Sequence, residues 1–310
     1  MEEHELVIVG AGPAGLTAAI YGKRAGLDVL VLEKAGIGGQ ILMTDTIENW
    51  PGVISSSGLA LVESLRAHIE HFKIQVRKTE VSAIEPTSGG FLLRTGKDIL
   101  VTRALIYAAG AHFRHLGCPG EARFTGVGVS YCAVCDGAFF EGTDVAVIGG
   151  GNTAVEEAHY LTRFASKVYL IHRRDTFRAD RAVVEHTLAN PKIVPIMDTV
   201  PEEIAGTDMV EKLILKNVKN GVRSELSVSG VFIFVGQLPN SELVRDLVRY
   251  DEAGWIHADE KLATSQPGIF VAGDVRVTSL RQAITAAADG ARAAMSAYSY
   301  IDKLGPAQKA

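Results

Sequence analysis

LVIVGAGPAGLTAAIYGKRAGLDVLVLEK, Leu6 to Lys34, recurs in outline 139 positions later as VAVIGGGNTAVEEAHYLTRFASKVYLIHR, Val145 to Arg173. In that register Gly10 meets Gly149, Gly12 meets Gly151, Gly15 meets Ala154 and Glu33 meets His172. Each copy reads as an apolar strand, a Gly-rich turn, an Ala-rich helix and a second apolar strand, which is a β-α-β unit with a dinucleotide fingerprint. The first Gly makes the tight turn and the second lets backbone approach a pyrophosphate. The third small residue lets helix and strand pack closely, while the helix N-terminus offers N–H groups and the positive end of its dipole. One such motif is weak evidence; two in one chain, each after a strand and each with a matching second strand, are strong.

Further pieces also come in pairs. After the first unit, VSAIEP, FLLRTG and DILVTRALIYAAG read as strands, with turns at Ser88-Gly89-Gly90 and Gly96-Lys97. After the second, MVEKLILKNV and VRSELSVSGVFIFVG flank the hairpin signal Asn220-Gly221. The tail from Gly268 is one more strand, a turn and a long Ala-rich helix with no partner of its own kind, so it is expected to return to the first domain. The chain should cross between domains near Ala111–Leu116 and near Pro239–Ser241. The expected fold is α/β: two Rossmann-like three-layer domains that bind FAD or NAD(P), one inserted in the other. Their expected bounds are 1–112 with 242–310, and 113–241.

Composition agrees with a soluble globular chain. Its 310 residues exceed what one core usually supports, and 47% are apolar. A net charge of −5 gives no general attraction to nucleic acid or anionic lipid. The acidic start MEEHELVIVG lacks the basic flank and longer apolar core of a signal peptide, and no apolar run reaches membrane-spanning length. Three cysteines are too few for a secreted disulfide framework. The expectation is a cytoplasmic protein in which any disulfide works rather than staples.

The end of the second strand of each unit selects the ribose. Glu33 can accept hydrogen bonds from ribose hydroxyls and repels a 2′-phosphate. Its site suits NAD or FAD, and two segments favour FAD: GIGGQ, Gly36 to Gln40, and VAGDV with RQA, around Asp274 and Arg281–Ala283. In the second copy Arg173, Arg174 and Arg178 stand near the equivalent point, where guanidinium groups can bind a phosphate through paired hydrogen bonds. That site is built for NADPH. His172 reads equally as a cofactor contact or as a plain strand end.

GAGPAG, GGQ, ENWPG, CAVCD, GGGNTAVEEA, HRRDTFRA and FVAGDV…RQAITAA follow one another as in the low-molecular-weight bacterial thioredoxin reductases, and the resemblance covers almost the whole chain. It implies a homodimer of two-domain subunits, with an FAD domain made from both chain ends and an NADPH domain, carrying a cysteine pair, between them. By that resemblance Gly10, Gly12, Pro13, Ala14 and Gly15 cradle the FAD pyrophosphate, and Glu33 with Lys34 holds its ribose. Gly39, Gln40, Asn49, Ala109 and Gly110 lie along the flavin, and Gly273, Asp274, Arg281, Gln282 and Ala283 close it. Val81 is an adenine contact or a core valine. Gly149, Gly151, Asn152, Thr153 and Ala154 receive the NADPH pyrophosphate, while Arg173, Arg174 and Arg178 take its 2′-phosphate, with His172 nearby. Val134 departs from the family, where Thr is frequent, and should tune the pair rather than abolish it.

The pair itself is Cys132 and Cys135 in YCAVCDG. A structural zinc site wants four Cys or His ligands; Cys118 is isolated, and His159 and His172 are not in ligand spacing with Cys132, so no metal is expected. A disulfide closing four residues constrains little, which argues against a staple. A redox pair remains, since CxxC thiols can have a depressed pKa and only thiolate attacks a disulfide. Cys118 reads as a small buried residue. Asp136 can hand a proton to a leaving thiolate and take it back, though Asp136-Gly137 is also an ordinary turn dipeptide. The family assigns Cys135 to the flavin side and Cys132 to attack on the substrate. It implies electron flow from NADPH through FAD to the pair and on to thioredoxin or a thioredoxin-like protein, with the NADPH domain rotating between two orientations. Rival readings are a reductase of another small dithiol protein (glutaredoxin-like or peroxidase-linked), an NADPH oxidase, and a flavin-binding regulatory module without turnover.

Overall fold

The computed structural model describes residues 2–44, 47–96 and 98–305. The chain divides into two compact units, Met1–His112 with Leu238–Ala310, and Phe113–Gln237.

Among the described residues of the first unit, seven strands form one sheet. Glu2–Val9 lies at its centre, parallel to Val29–Glu33 on one side and to Asp98–Tyr107 on the other. Gln75–Lys78 extends the parallel edge. The ten-residue strand Asp98–Tyr107 divides its outer flank between two neighbours. Its first half pairs antiparallel with Gly90–Thr95, and its last three residues pair parallel with Ile269–Val271 from the tail. Val81–Thr87 completes the antiparallel edge. The central strand is apolar on consecutive residues because helices and loops cover both faces of a parallel sheet. Leu6 and Ile8 face one core with Val31 and Ile106; Val7 and Val9 face another with Leu32 and Leu105.

The Ala-rich composition of the two long helices has a packing reason. Pro13–Arg24 and Ala283–Lys303 lie against each other on the first core, and a Cβ on Gly290 would sit 2.1 Å from the carbonyl oxygen of Ala14. A Cβ on Gly15 would sit 1.8 Å from the oxygen of Gly10. That contact is the physical content of the third glycine in the first fingerprint.

The second unit repeats the parallel core. Five strands run in the order Ile193–Ile196, Lys167–Ile171, Asp144–Gly149, Gly230–Phe234 and Val129–Ser130, all parallel. Its meander is a separate three-stranded sheet, Thr199–Gly206, Val210–Asn217 and Arg223–Ser227, with Asn220-Gly221 at the second turn. VRSELSVSGVFIFVG is thus two strands in two sheets, interrupted at Val228-Ser229. At the break the backbone changes partner: Val228 N–H donates to Glu211 O on the meander at 3.1 Å, and Ser229 N–H donates to Asp144 O on the parallel sheet at 2.9 Å.

At the chain crossings the two segments run side by side. Within the first unit Asn240 N–H donates to Gly110 O at 3.0 Å, and within the second Arg114 N–H donates to Gly236 O at 2.9 Å. Asn240 also binds the first unit through its side chain, donating to Ala109 O, and its carbonyl accepts from the Tyr107 hydroxyl.

Candidate active site

In the first unit, helix Pro13–Arg24 starts at Gly12 with no side-chain cap, and a Cβ on Gly12 would meet nothing within 4 Å. Pro13 removes one N–H that would be orphaned at this helix start. Glu33 ends the second strand beside this turn. Its Oε2 accepts from Ala11 N–H at 2.7 Å and its Oε1 from Ala35 N–H at 2.8 Å, which fixes the carboxylate and leaves a lone pair on each oxygen. Lys34 follows it, exposed. The second Gly-rich loop folds back onto the first: Gly38 N–H donates to Ala11 O, and a Cβ on Gly39, which has φ +59°, would touch Gly12 Cα at 3.3 Å.

Of the remaining expected contacts of this unit, Gly273 lies at the same turn, and the others are placed by their own partners. Gly273 lies against Ala14. The Gln40 amide donates to Ala111 O, and Asn49 donates to Gln282 Oε1 at 3.0 Å. Gln282 caps the long helix that begins at Ala283, in a reciprocal box with Thr285. Burial pushes the Asp274 carboxyl up to about 6, against the pull of Arg281. The Arg281 guanidinium lies over the Trp255 ring at 3.8 Å, and its Nε is buried without a hydrogen-bond partner. Val81 is buried in the core with Val7, Leu93 and Tyr107. Ala109 and Gly110 supply the carbonyls that hold Asn240.

Sequence reasoning missed what anchors the Gly273-Asp274 turn. Asp289, buried on the long helix, takes a two-pronged pair from Arg276, Nε to Oδ2 at 2.7 Å and Nη2 to Oδ1 at 2.9 Å. It also accepts from Gly273 N–H at 3.2 Å. A charged residue inside an Ala-rich helix, at a position facing the core, is the signal that could have found it.

The second unit presents a matching turn. Helix Asn152–Leu161 starts at Gly151, again without a side-chain cap and with open space before it, while Gly149 packs against Ala154 and Phe234. Thr153, in the first turn of this helix, is exposed. Asn152 is committed to Asp180, exchanging two hydrogen bonds with it. Gly150 O accepts the N–H of Arg178 at 2.7 Å, so the HRRDTFRA loop returns to the fingerprint. Arg173, Arg174 and Arg178 are exposed and form no ion pair among the described residues. His172 is 5% exposed, packed against Gly150 and stacked near Phe177, and its Nε2 is buried with no partner. Burial and the nearby Arg178 hold its pKa down, so the imidazole stays neutral. Two uncapped helix starts facing open space, one flanked by a fixed carboxylate and one by free guanidinium groups, fit two dinucleotides.

Cys132 and Cys135 are joined in a disulfide, with Cα atoms 5.3 Å apart. Cys132 opens the single helical turn Ala133–Asp136, and Cys135 N–H donates to Cys132 Sγ at 3.2 Å. Ala133 is buried, both cysteines are half-buried, and Val134 projects outward at 42% exposure. Asp136 does not stand alone, since Ser130 Oγ donates to its Oδ2 at 2.5 Å.

A buried carboxylate ties the residue before Cys132 to the loop at Leu116 and Gly117. Glu121 accepts from the N–H groups of Leu116 (2.9 Å) and Gly117 (2.7 Å) and from the Tyr131 hydroxyl (2.7 Å). Burial pushes its pKa up, but these three donors outweigh burial and hold it below the ordinary range. The Tyr131 ring stacks on Phe113, centroids 4.9 Å apart. Cys118, close by, is a free thiol whose pKa burial and the Glu121 charge push up to about 11. Among the described residues no group of three or more His, Cys, Asp or Glu could hold a metal ion, and no helix is long and apolar enough to cross a membrane.

Comparison with known proteins matches this architecture. Residues 4–290 match the family described as pyridine nucleotide-disulphide oxidoreductase. The thioredoxin reductase of Treponema pallidum (strain Nichols) is 44% identical over 97% of this chain and 98% of its own. That of Bacillus subtilis (strain 168) is 40% identical over 97% and 96%. The crystal structure of thioredoxin reductase from Streptococcus pyogenes MGAS5005 superposes with a TM-score of 0.94 at 43% identity, covering 97% of this chain and 99% of that one. The chain is an oxidoreductase and belongs to the pyridine nucleotide-disulphide oxidoreductases, within the thioredoxin reductase family.

Proposed function

We propose that the chain is an NADPH-dependent flavoprotein that reduces the disulfide of thioredoxin. The observation that carries this reading is the half-buried Cys132–Cys135 disulfide in the unit whose fingerprint turn accepts the Arg178 N–H at Gly150, with Arg173, Arg174 and Arg178 exposed and in no ion pair among the described residues. On this reading Met1–His112 with Leu238–Ala310 binds FAD, and Phe113–Gln237 binds NADPH. The Ala14 and Gly15 amides and Glu33 hold FAD, with Asp274 and Arg281 at the flavin end; Gly151, Asn152 and Thr153 with Arg173, Arg174 and Arg178 hold NADPH.

Bound NADPH and FAD supply two electrons at a time to the disulfide. The residues of the chain manage the rest. Opening the Cys132–Cys135 bond with two electrons makes two sulfur anions, and Asp136 delivers a proton to the one beside it. The Cys132 thiolate attacks one sulfur of the partner disulfide, that bond breaks, and a mixed disulfide forms. Asp136 takes its proton back from Cys135, whose thiolate then attacks Cys132; the mixed disulfide breaks, the Cys132–Cys135 bond is restored, and the two sulfur anions released on the partner take protons from solvent, so that it leaves as a dithiol. Two protons and two electrons pass to the partner in each cycle. The reading includes a homodimer and a cytoplasmic setting.

The test is NADPH consumption by the yellow, flavin-loaded protein in the presence of oxidised thioredoxin, monitored beside the appearance of thioredoxin thiols. Cys132→Ser should stop thiol formation while slow NADPH oxidation by oxygen continues. If the wild-type protein consumes NADPH only with a glutaredoxin-like or peroxidase-linked carrier, thioredoxin is the wrong partner. If Cys132→Ser turns over like wild type, the pair is not the exit for electrons.

A further inference from the structure

Ser130 ends the short strand Val129–Ser130, where it pairs with Phe232, and it is 5% exposed. Its hydroxyl touches the redox turn at three points. It lies 2.5 Å from Asp136 Oδ2, 3.0 Å from Cys132 N and 3.3 Å from Cys132 O. A hydroxyl has one proton to give and two lone pairs to receive with. The Cys132 N–H is a fixed donor and occupies one lone pair. The single proton therefore has two acceptors within reach, the Asp136 carboxylate and the Cys132 carbonyl, and one lone pair remains.

Those contacts define two complete hydrogen-bonding arrangements. With Asp136 ionised, Ser130 donates to the carboxylate, and every partner is satisfied. With Asp136 protonated, the acid becomes a donor. Ser130 can then accept from it with the remaining lone pair and turn its own proton to Cys132 O. No heavy atom has to move between the two. Burial makes this matter, because a buried polar group left without a partner costs far more than one facing water.

We infer that Ser130 is a positioning residue for the proposed disulfide reduction. Its hydroxyl holds Asp136 against the Cys132 backbone in both protonation states, so the acid exchanges its proton without leaving its place. The inference rests on the reading of Asp136 as the proton-transfer group. The strong donor it supplies to the carboxylate also favours the ionised form, as hydrogen bonding to a charged group does.

The experiment compares wild type, Ser130→Ala, Ser130→Thr and Asp136→Asn as flavin-loaded proteins. One readout is the pH profile of thioredoxin reduction. The other is the carboxylic-acid infrared band of Asp136, obtained as the difference from Asp136→Asn, followed against pH in the absence of turnover. Removing the hydroxyl should raise the midpoint of that band, and the matching limb of the profile, by about one pH unit, the size of one charge-assisted hydrogen bond. Ser130→Thr should keep the wild-type midpoint. Where alanine fails to fold, Ser130→Val against Ser130→Thr makes the same comparison at constant shape. A slower Ser130→Ala enzyme with an unmoved midpoint would show a merely structural residue and overturn the inference. If Asp136→Asn leaves the pH profile unchanged, the failure lies with the role of Asp136. If Asp136→Asn alters the profile and Ser130→Ala does not, only the role of Ser130 fails.

Discussion

Replacing Arg276 by methionine leaves the Asp289 carboxylate in a dry site with only the Gly273 amide as a partner. The Asp289 side chain is 8% exposed and that of Arg276 is 19%, so the anion cannot turn to water while the cation largely can. Breaking a buried pair from that side costs about 3–5 kcal/mol, because an uncompensated charge remains. Removing the carboxylate instead, with Asp289→Leu, should cost less, since the guanidinium can swing outward and the main loss is the acceptor for Gly273 N–H. Replacing both by Met and Leu should come close to wild type, because a packed apolar pair stands in well for a buried ion pair. The assay is thermal unfolding of the flavin-loaded protein at fixed flavin and protein concentration, with flavin release as a second signal. For a unit of this size 3–5 kcal/mol corresponds to a drop of about 6–20 °C in Tm. Flavin should escape earlier in Arg276→Met, since the pair pins the turn that holds Asp274. A single variant within about 2 °C of wild type, or a double variant as unstable as Arg276→Met, would refute the reasoning.

Arg173→Ala with Arg174→Ala should raise KM for NADPH much more than KM for NADH; steady-state kinetics with both donors check this, and a wild type that prefers NADH refutes it. The Asp274 carboxyl, raised to about 6 from the ordinary 3.8, binds a proton more tightly folded than unfolded, so it lowers stability as pH rises from about 4 to about 6. Asp274→Asn should remove that decline, about 3 kcal/mol across the window, in denaturation of the two proteins measured at several pH values. Glu121 has the opposite sign: held low, its contribution is present above the ordinary carboxylate range and lost as pH falls through its folded value. Glu121→Gln should destabilise the protein at neutral pH by about 1–3 kcal/mol, and equilibrium denaturation should show the gap closing in acid.

What the sequence revealed followed from repetition and from local chemistry. The two β-α-β units were legible because the glycine spacing recurs within thirty residues, although the close neighbours that demand glycine at Gly10 and Gly149 include the distant Ala108 and Phe234. Cys132 and Cys135 were legible because four residues hold the whole motif. The supports were not. Ser130 meets Asp136 across one turn, and nothing in a Val-Ser dipeptide says that its hydroxyl is buried against a carboxylate. Glu121 reads as a surface acid after Pro119-Gly120, yet the fold buries it under donors from Leu116, Gly117 and Tyr131. Trp255 and Arg281 are brought together only by the return of the tail. The interruption at Val228-Ser229 is hidden in the sequence because β-propensity runs through it, while the two strands are told apart by their distant partners, Glu211 on one side and Asp144 on the other.

Three cysteines share the second unit, and the environment of Cys118 sets it apart from the bonded pair. With a pKa of about 11, Cys118 is a thiolate in only about one molecule in ten thousand at neutral pH. Exchange proceeds through the thiolate, so Cys118 would intercept a mixed disulfide at the pair far more slowly than an ordinary cysteine, even though its rare thiolate is the more nucleophilic for its high pKa. The carboxylate that holds Tyr131 in front of the pair is also a charge that keeps Cys118 protonated. Burial first and the Glu121 charge second thus insulate Cys118, a bystander thiol, from the exchange proposed for the pair.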